Sequence, residues 1–143
     1  MGIKAIDITP LASYGPTAVT PSSKDVVCKV FAINRTDTTA SVKCVIPADS
    51  TIIAIRLYST AVSNAATTAT VSVGIPGTNT YFVNAADVKT SAGQIALTSN
   101  VSNIFNLENI PLGSDIQITG IYAETGTAST AGGPYYVTIE YVR

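Results

Sequence analysis

Apolar and polar residues alternate along most of this chain with the two-residue period of β-strands, and no stretch shows the 3.6-residue stripe of a helix. The clearest predicted strands are residues 26–33, 40–46, 51–58, 69–75, 116–122 and 135–142, with shorter ones at 81–83 and 95–97. Strands rich in Val, Ile and Thr, about eight in number and separated by turn residues, predict an all-β fold. We therefore expect a jelly-roll-like antiparallel β-sandwich.

The first two strands are predicted to pair with each other. The connection between strands 26–33 and 40–46 is short and contains the polar, turn-like segment 34–37. Two alternating runs joined in this way are typical of a β-hairpin. Residues 85–93 are interpreted as a loop, with one helical turn around residues 86–88.

The two cysteines lie on this predicted hairpin. A loop at residues 35–37 would place Cys28 opposite Cys44, where a disulfide is geometrically feasible. The same register would place Lys29 opposite Lys43, an unfavourable pair that a two-residue slip would separate together with the cysteines. Because no signal peptide precedes the domain, we expect a cytoplasmic product with reduced thiols that pack as small buried side chains.

Residues 1–23 differ from the remainder of the chain. Three prolines, Pro10, Pro16 and Pro21, rule out a continuous helix and favour an extended segment. We divide the chain into an extended N-terminal arm, residues 1–23, and a β-sandwich domain, residues 24–143. The arm either packs as an edge strand on its own domain or reaches a neighbouring subunit. The candidate partner-binding residues are its apolar side chains, Ile3, Ile6, Ile8, Leu11 and Tyr14.

The low proportion of charged residues is the most informative feature of the composition. Of 143 residues, 12% are charged, with eight Lys or Arg and nine Asp or Glu, whereas soluble domains average about 25%. Thr, Ser, Ala and Asn occupy the outward strand positions where Lys and Glu are usual. A surface with so few charges is prone to association. The residues thus indicate a protein whose surface is covered by partners in an assembly.

Most catalytic and ligand-binding classes lack the residues that they need. The chain has no histidine, which removes the commonest general base and metal ligand. Its carboxylates are dispersed, and its glycines form no phosphate-binding loop. A net charge of −1 gives no electrostatic basis for nucleic-acid binding, and no apolar run is long enough to span a membrane. We expect no enzymatic activity, no cofactor, no metal, and no nucleic-acid or membrane partner.

Four segments in succession carry a resemblance to a known family: 46–53 (IPADSTII), 70–75 (TVSVGI), 81–88 (YFVNAADV) and 91–93 (SAG). This succession resembles the small β-sandwich head decoration, or cement, proteins of tailed bacteriophages. The resemblance implies a homotrimer that binds the major capsid protein at three-fold positions and clamps neighbouring capsomers. It further implies a location on the outer surface of the capsid, after assembly in the host cytoplasm.

Other functions remain open at this stage. One alternative is the receptor- or glycan-binding head domain of a virion fibre, for which the tyrosines would line a pocket. Another is a neck or tail component with the same fold. An enzyme built on two distant carboxylates is the weakest alternative.

Overall fold

A computed structural model describes residues 25–97 and 113–143 of the chain. Within these residues the protein contains eight β-strands and no helix. The strands are β1 (Val26–Ile33), β2 (Ser41–Ile46), β3 (Thr51–Ser59), β4 (Thr68–Ile75), β5 (Thr78–Asp87), β6 (Gly93–Ile95), β7 (Ile116–Thr125) and β8 (Tyr135–Val142). The predicted arm lies outside the described residues.

The strands form two four-stranded antiparallel sheets. Sheet A has the order β1-β8-β3-β6, and sheet B has the order β2-β7-β4-β5. The first strand thus pairs with the eighth, the second with the seventh, the third with the sixth and the fourth with the fifth, as if one long hairpin had been rolled up. This is the jelly-roll arrangement, which confirms the predicted fold class.

The core lies between the inner faces of the two sheets. Along β8, alternate side chains from Tyr135 to Tyr141 are buried, with exposed fractions of at most 4%. Small residues set the distance between the sheets, because a Cβ added at Gly120 would lie 2.7 Å from Cδ1 of Ile33 on the opposite sheet. Each large apolar side chain in this layer stabilises the fold by on the order of 1.5–3 kcal/mol. The alternation that predicted the strands therefore also supplies the core.

The predicted hairpin is wrong, because β1 and β2 belong to different sheets. Cys28 lies opposite Glu140 on β8, and Cys44 lies opposite Ile118 on β7. Both cysteines are free thiols. Cys44 is half-buried, but Cys28 is exposed, contrary to the expectation that both would be buried.

A turn around Asp37 explains how the chain leaves one sheet and enters the other. The Asp37 carboxylate accepts the backbone N–H of Asn34 at 2.7 Å and lies 2.8 Å from Nζ of Lys43. Its carbonyl oxygen accepts the backbone N–H of Tyr122, on β7 of sheet B, at 2.8 Å. Partial burial opposes ionisation of Asp37, but these hydrogen bonds and the Lys43 charge outweigh it and lower the pKa of the carboxyl. The polar segment 34–37 therefore directs the chain across the sandwich rather than back along β1.

The β4–β5 region is more extended than the sequence predicted. β5 covers Thr78–Asp87, so residues 86–87 are strand and the expected helical turn does not form. Asp87 ends the strand by accepting the backbone N–H groups of Lys89 and Thr90. A two-residue turn, residues 76–77, joins β4 to β5. Gly74 is required beside it, because an added Cβ would lie 2.1 Å from the carbonyl oxygen of Thr78.

Candidate functional site: an uncovered side of the sandwich

Exposed apolar side chains are concentrated on one side of the sandwich. Among the described residues, eight large apolar side chains are exposed, and five of them are valines on β1 and β2. We call these five the valine flank: Val26, Val27, Val30, Val42 and Val45. The most exposed are Val26 at 58% and Val30 at 60%. Strands β1 and β2 are edge strands of their sheets, so the flank surrounds the side where the two sheets end.

The edge of β1 is regular and available for pairing. In the described part of the chain β1 pairs only with β8, through eight consecutive residue pairs without a bulge. Its first five residues, 26–30, are all exposed, whereas a sandwich strand normally buries one face. The β2 edge is less regular, since a bulge interrupts it between Val42 and Cys44. The β1 edge therefore offers main-chain hydrogen-bonding groups beside exposed valines.

The outer face of sheet A continues this apolar surface. Tyr58 on β3 lies directly opposite Tyr136 on β8, and the two side chains are 52% and 39% exposed. In the register of β1, β8 and β3, the outward positions include only two charged residues, Arg56 and Glu140. These two form an ion pair with each other. The face therefore presents valine and tyrosine side chains with almost no uncompensated charge.

On the outer face of sheet B, the outward positions of β4 and β7 carry no charged side chain. Outward positions on β4 and β7 carry threonines that bond across the strands, such as the Thr68 and Thr125 hydroxyls 2.6 Å apart. The predicted absence of charge at outward strand positions is thus confirmed here. The exposed valines and tyrosines at the outward positions of sheet A, in contrast, were not predicted from the sequence. The available signal was that β1 is apolar on both faces.

A buried polar cluster closes one end of the sandwich. Tyr122 on β7 stacks on Tyr135 on β8, with ring centroids 5.7 Å apart and planes inclined by 6°. The Tyr122 hydroxyl lies 2.7 Å from the Ser63 hydroxyl and donates to Oε2 of Glu124 at 2.7 Å. Burial is the main cause that raises the pKa of Tyr135 to about 12. The cluster joins the β3–β4 loop to β7 and β8.

The β7–β8 loop is held against the β3–β4 loop by side-chain caps. The amide oxygen of Asn64 accepts the backbone N–H groups of Thr130 and Ala131, each at 2.9 Å. The Glu124 carboxylate accepts the backbone N–H of Ser129 at 3.1 Å. Hydrogen bonds from the side chains of Ser129 and Tyr122 lower the pKa of Glu124. In this loop Glu124 thus accepts hydrogen bonds from Tyr122 and Ser129 and links β7 to the β7–β8 loop.

Two surface cavities lie away from the valine flank. One, of about 410 Å³, is lined by Thr67, Thr68, Ala69, Thr70, Asp87, Lys89 and Thr90. The other, of about 380 Å³, lies between β5 and β6 and is lined mainly by small and apolar side chains from Val83 to Leu97. No tyrosine lines either cavity. Within residues 25–97 and 113–143, no three potential ligands from His, Cys, Asp or Glu come together as a metal site.

This strand arrangement has a counterpart among solved structures. The fold is similar to that of a chain in the cyanophage Pam1 capsid asymmetric unit. The superposition has a TM-score of 0.58 at 18% sequence identity and covers 85% of this chain and 86% of that chain. The two coverages imply chains of nearly equal length. No protein-family model matches the sequence, and no curated protein matches it either.

The sequence-predicted site residues and the structural site do not coincide. Ile3, Ile6, Ile8, Leu11 and Tyr14 lie outside the described residues, so their role stays a prediction. The chain enters the described structure at Asp25, immediately before β1, and so next to the valine flank. Among the described residues, no helix is long and apolar enough to cross a membrane.

Proposed function

We propose that this chain is a non-enzymatic structural protein of a bacteriophage virion. It binds the major capsid protein lattice as a homotrimer on the outer surface of the head and stabilises the head as a decoration, or cement, protein. The observation that carries the proposal is the shared jelly roll with a chain of nearly equal length in a phage capsid asymmetric unit. The sequence resemblance to decoration proteins supports the same function independently.

The valine flank supports an assembly function. A contiguous exposed apolar region rimmed by polar residues is typical of a protein–protein contact. The five valines are 38–60% exposed, so covering each would contribute roughly half of the 1.5–3 kcal/mol of full burial, before ordering costs. The few charges around the flank reduce the desolvation cost of covering it. We infer that this side, together with the outer face of sheet A, contacts other virion proteins.

Attachment at many equivalent positions suits a protein with modest individual contacts. A homotrimer that spans neighbouring capsomers links them by several contacts at once, and its avidity exceeds the affinity of each contact. The uncharged outer surface of β4 and β7, away from the valine flank, is then the part that remains exposed to solvent. The apolar arm residues add further buried area wherever they bind.

A non-enzymatic role agrees with the state of the polar groups. Glu124 is used to anchor the β7–β8 loop. Asp37 and Asp87 are used in turns in the same way. Carboxylates with lowered pKa values that accept backbone N–H groups are typical of loop anchors.

The decisive experiment locates the protein on purified virions. We expect it at a fixed stoichiometry to the major capsid protein, on the outside of the head, by cryo-electron microscopy and quantitative mass spectrometry. Absence from mature heads, or a location in the neck or tail, would contradict the proposal.

A paired substitution tests the contact surface. The double variant Val26→Lys, Val30→Lys is added to heads assembled without the protein. Its occupancy on these heads should be at least about tenfold lower than that of the wild type, since two charges would need desolvation. Val62→Lys is the matched control, because Val62 is also an exposed valine, at 42%, but lies in the β3–β4 loop. Equal occupancy of the double variant and the control would exclude the flank as the contact.

One observation favours a second function, the receptor- or glycan-binding head of a virion fibre. Tyr58 and Tyr136 form an exposed aromatic pair, and aromatic rings stack on sugar faces. Binding of the wild-type protein on a glycan array, lost in Tyr58→Ala, would support this alternative. No binding on the array would leave decoration as the better explanation of the tyrosines.

A further inference from the structure

The unpaired edge of β1 has the properties of a site that receives an additional strand. Its register with β8 is continuous over eight pairs, and residues 26–30 are exposed on both faces. Among the described residues no strand pairs with its other edge. Regular edges of this kind are usually blunted by bulges, prolines or charged side chains, and β1 has no bulge and no proline. Its only charged side chain is Lys29.

Lys29 gives this edge an electrostatic preference. It lies opposite Ile139, which is fully buried, so its side chain is on the inner side of sheet A. Lys29 nevertheless remains exposed, because the sandwich is open at this flank. A strand added to β1 would bring one of its side chains beside Lys29 on the inner side. An acidic residue at that position would form a favourable cross-strand pair.

The N-terminal segment of this chain carries the matching pattern. Residues 6–8 read Ile-Asp-Ile, an acidic residue between two β-branched apolar residues. When Asp7 is placed beside Lys29, Ile6 and Ile8 fall on the outer side of the sheet. There they lie next to Cys28 and Val30, in either direction of pairing, because side chains alternate along a strand. Opposite charges and apolar surfaces therefore match in the same register.

The length of chain before β1 is sufficient for the strand to come from a neighbouring copy. Residues 12–25 separate residue 11 from the start of β1 and span up to about 50 Å when extended. The strand β1 itself is only about 26 Å long. Pro16 and Pro21 favour extended backbone at the residues that precede them. The segment is therefore long enough to cross from one copy to an adjacent one.

We propose that residues 3–11 of one copy add as a strand to the β1 edge of a neighbouring copy, with Asp7 beside Lys29 and Ile6 and Ile8 covering Cys28 and Val30. The contact is head-to-tail, since each copy gives a segment and receives one, and such contacts close into rings when the rotation allows. The inference rests on the proposed homo-oligomer and names the contact that holds it together.

Disulfide trapping tests the contact in the full-length chain. In a Cys44→Ser background, Ile6→Cys and Ile8→Cys each place a thiol that could meet native Cys28, one for a parallel and the other for an antiparallel strand. Thr9→Cys is the matched control, because residue 9 lies on the same side as Asp7. After mild oxidation, we expect one of the two isoleucine variants to form intermolecular cross-linked species on a non-reducing gel, and the control to form none.

The cross-linking outcomes separate the possible occupants of the edge. Intermolecular species that disappear in Cys28→Ser support the proposal, and the reactive variant gives the strand direction. An intrachain disulfide alone would show that the segment folds back on its own β1 and would overturn it. Absence of cross-links in both isoleucine variants, or equal cross-linking of Thr9→Cys, would overturn it as well.

A charge exchange provides a second, non-covalent test. Asp7→Lys and Lys29→Asp should each weaken self-association roughly fivefold, because like charges then face each other. The double variant should restore wild-type association, measured by sedimentation velocity. Lys29 is exposed, so thermal melting should show that the single variants remain folded. A monomeric wild-type protein, or a double variant as weak as the singles, would contradict the proposal.

These measurements need no virus particle. A negative result would remove the strand exchange but leave capsid binding untouched, since the latter is read from occupancy on heads. Conversely, a protein that self-associates through β1 but is absent from heads would retain this contact and lose the proposed function.

Discussion

The end of the sandwich around Tyr122 and the side around the valine flank differ in how completely the chain satisfies its own groups. At the loop end, Ser63, Asn64 and Glu124 bind hydroxyl and backbone groups of neighbouring loops. At the flank, a regular strand edge and five valines are left exposed. The comparison indicates that the loop end maintains the fold, whereas the flank contributes little to folding and is available for partners. Substitutions should therefore separate stability from assembly.

The largest expected effect on stability is at the loop end. Tyr122→Ala removes a fully buried ring that stacks on Tyr135 and bonds to Ser63, so we expect it to lower the free energy of unfolding by about 3–5 kcal/mol. Val30→Ala on the flank should change it by only about 0.5 kcal/mol. Urea titration of both variants measures the difference. Comparable losses would mean that the flank is part of the core.

The two thiols should report the same contrast by their reactivity. Burial raises the pKa of Cys44 to about 11, despite the opposing charge of Lys29. The raised pKa lowers the thiolate fraction of Cys44 at pH 8 about a hundredfold relative to a thiol of pKa 9. Cys28 is exposed on the outer face of β1. In protein diluted until it is monomeric, we expect iodoacetamide to label Cys28 well before Cys44, by mass spectrometry of intact protein. Equal labelling would indicate that the β2 edge opens in solution.

An intermediate effect is expected for the loop caps. Asn64→Ala leaves the backbone N–H groups of Thr130 and Ala131 without their acceptor, which should cost about 1–3 kcal/mol in the free energy of unfolding. Val62→Ala, two residues away and exposed, serves as the control. If the two variants melt at the same temperature, the link between these loops is not important for stability.

The smallest expected effect is on acid stability. The pKa values of Asp37 and Glu124 are lowered in the folded state, so their contribution is present above the unfolded pKa of about 4 and is lost as the pH falls through the folded value. Glu124→Gln should therefore reduce the decline in melting temperature as the pH is lowered from about 5 to about 3. Asp25→Asn is an exposed control. A wild-type melting temperature that does not change with pH would contradict this assignment.

The two-residue alternation of apolar and polar residues was sufficient to predict the strands, but not which strands pair with each other. Runs such as 69–75 and 135–142 alternate clearly, and the structure confirms them within a residue. The pairing of β1 with β2 was wrong because loop length favours local hairpins, whereas the Asp37 turn and the core direct these strands to opposite sheets. Such long-range pairings have no signature within either strand.

The valine flank was hidden by the same limitation. β1 is apolar on both faces, a pattern that buried strands also show, and only the strand order shows that β1 lies at an edge. The low charge of the outward positions, in contrast, was visible in the composition and is found on both sheets. The arm residues lie outside the described part and remain predictions.

The position of β8 has a consequence for how the protein is made. It lies between β1 and β3 in sheet A, so Val26 pairs with Val142 and Thr51 also meets Val142 across the sheet. Sheet A therefore cannot form until the ribosome has synthesised residues 135–142. Until then, β1 and β3 lack the strand that lies between them. Folds dominated by such distant pairings form slowly. The β1 edge that receives partners thus comes into existence only after this last strand inserts, which delays self-association until each copy has been synthesised through β8.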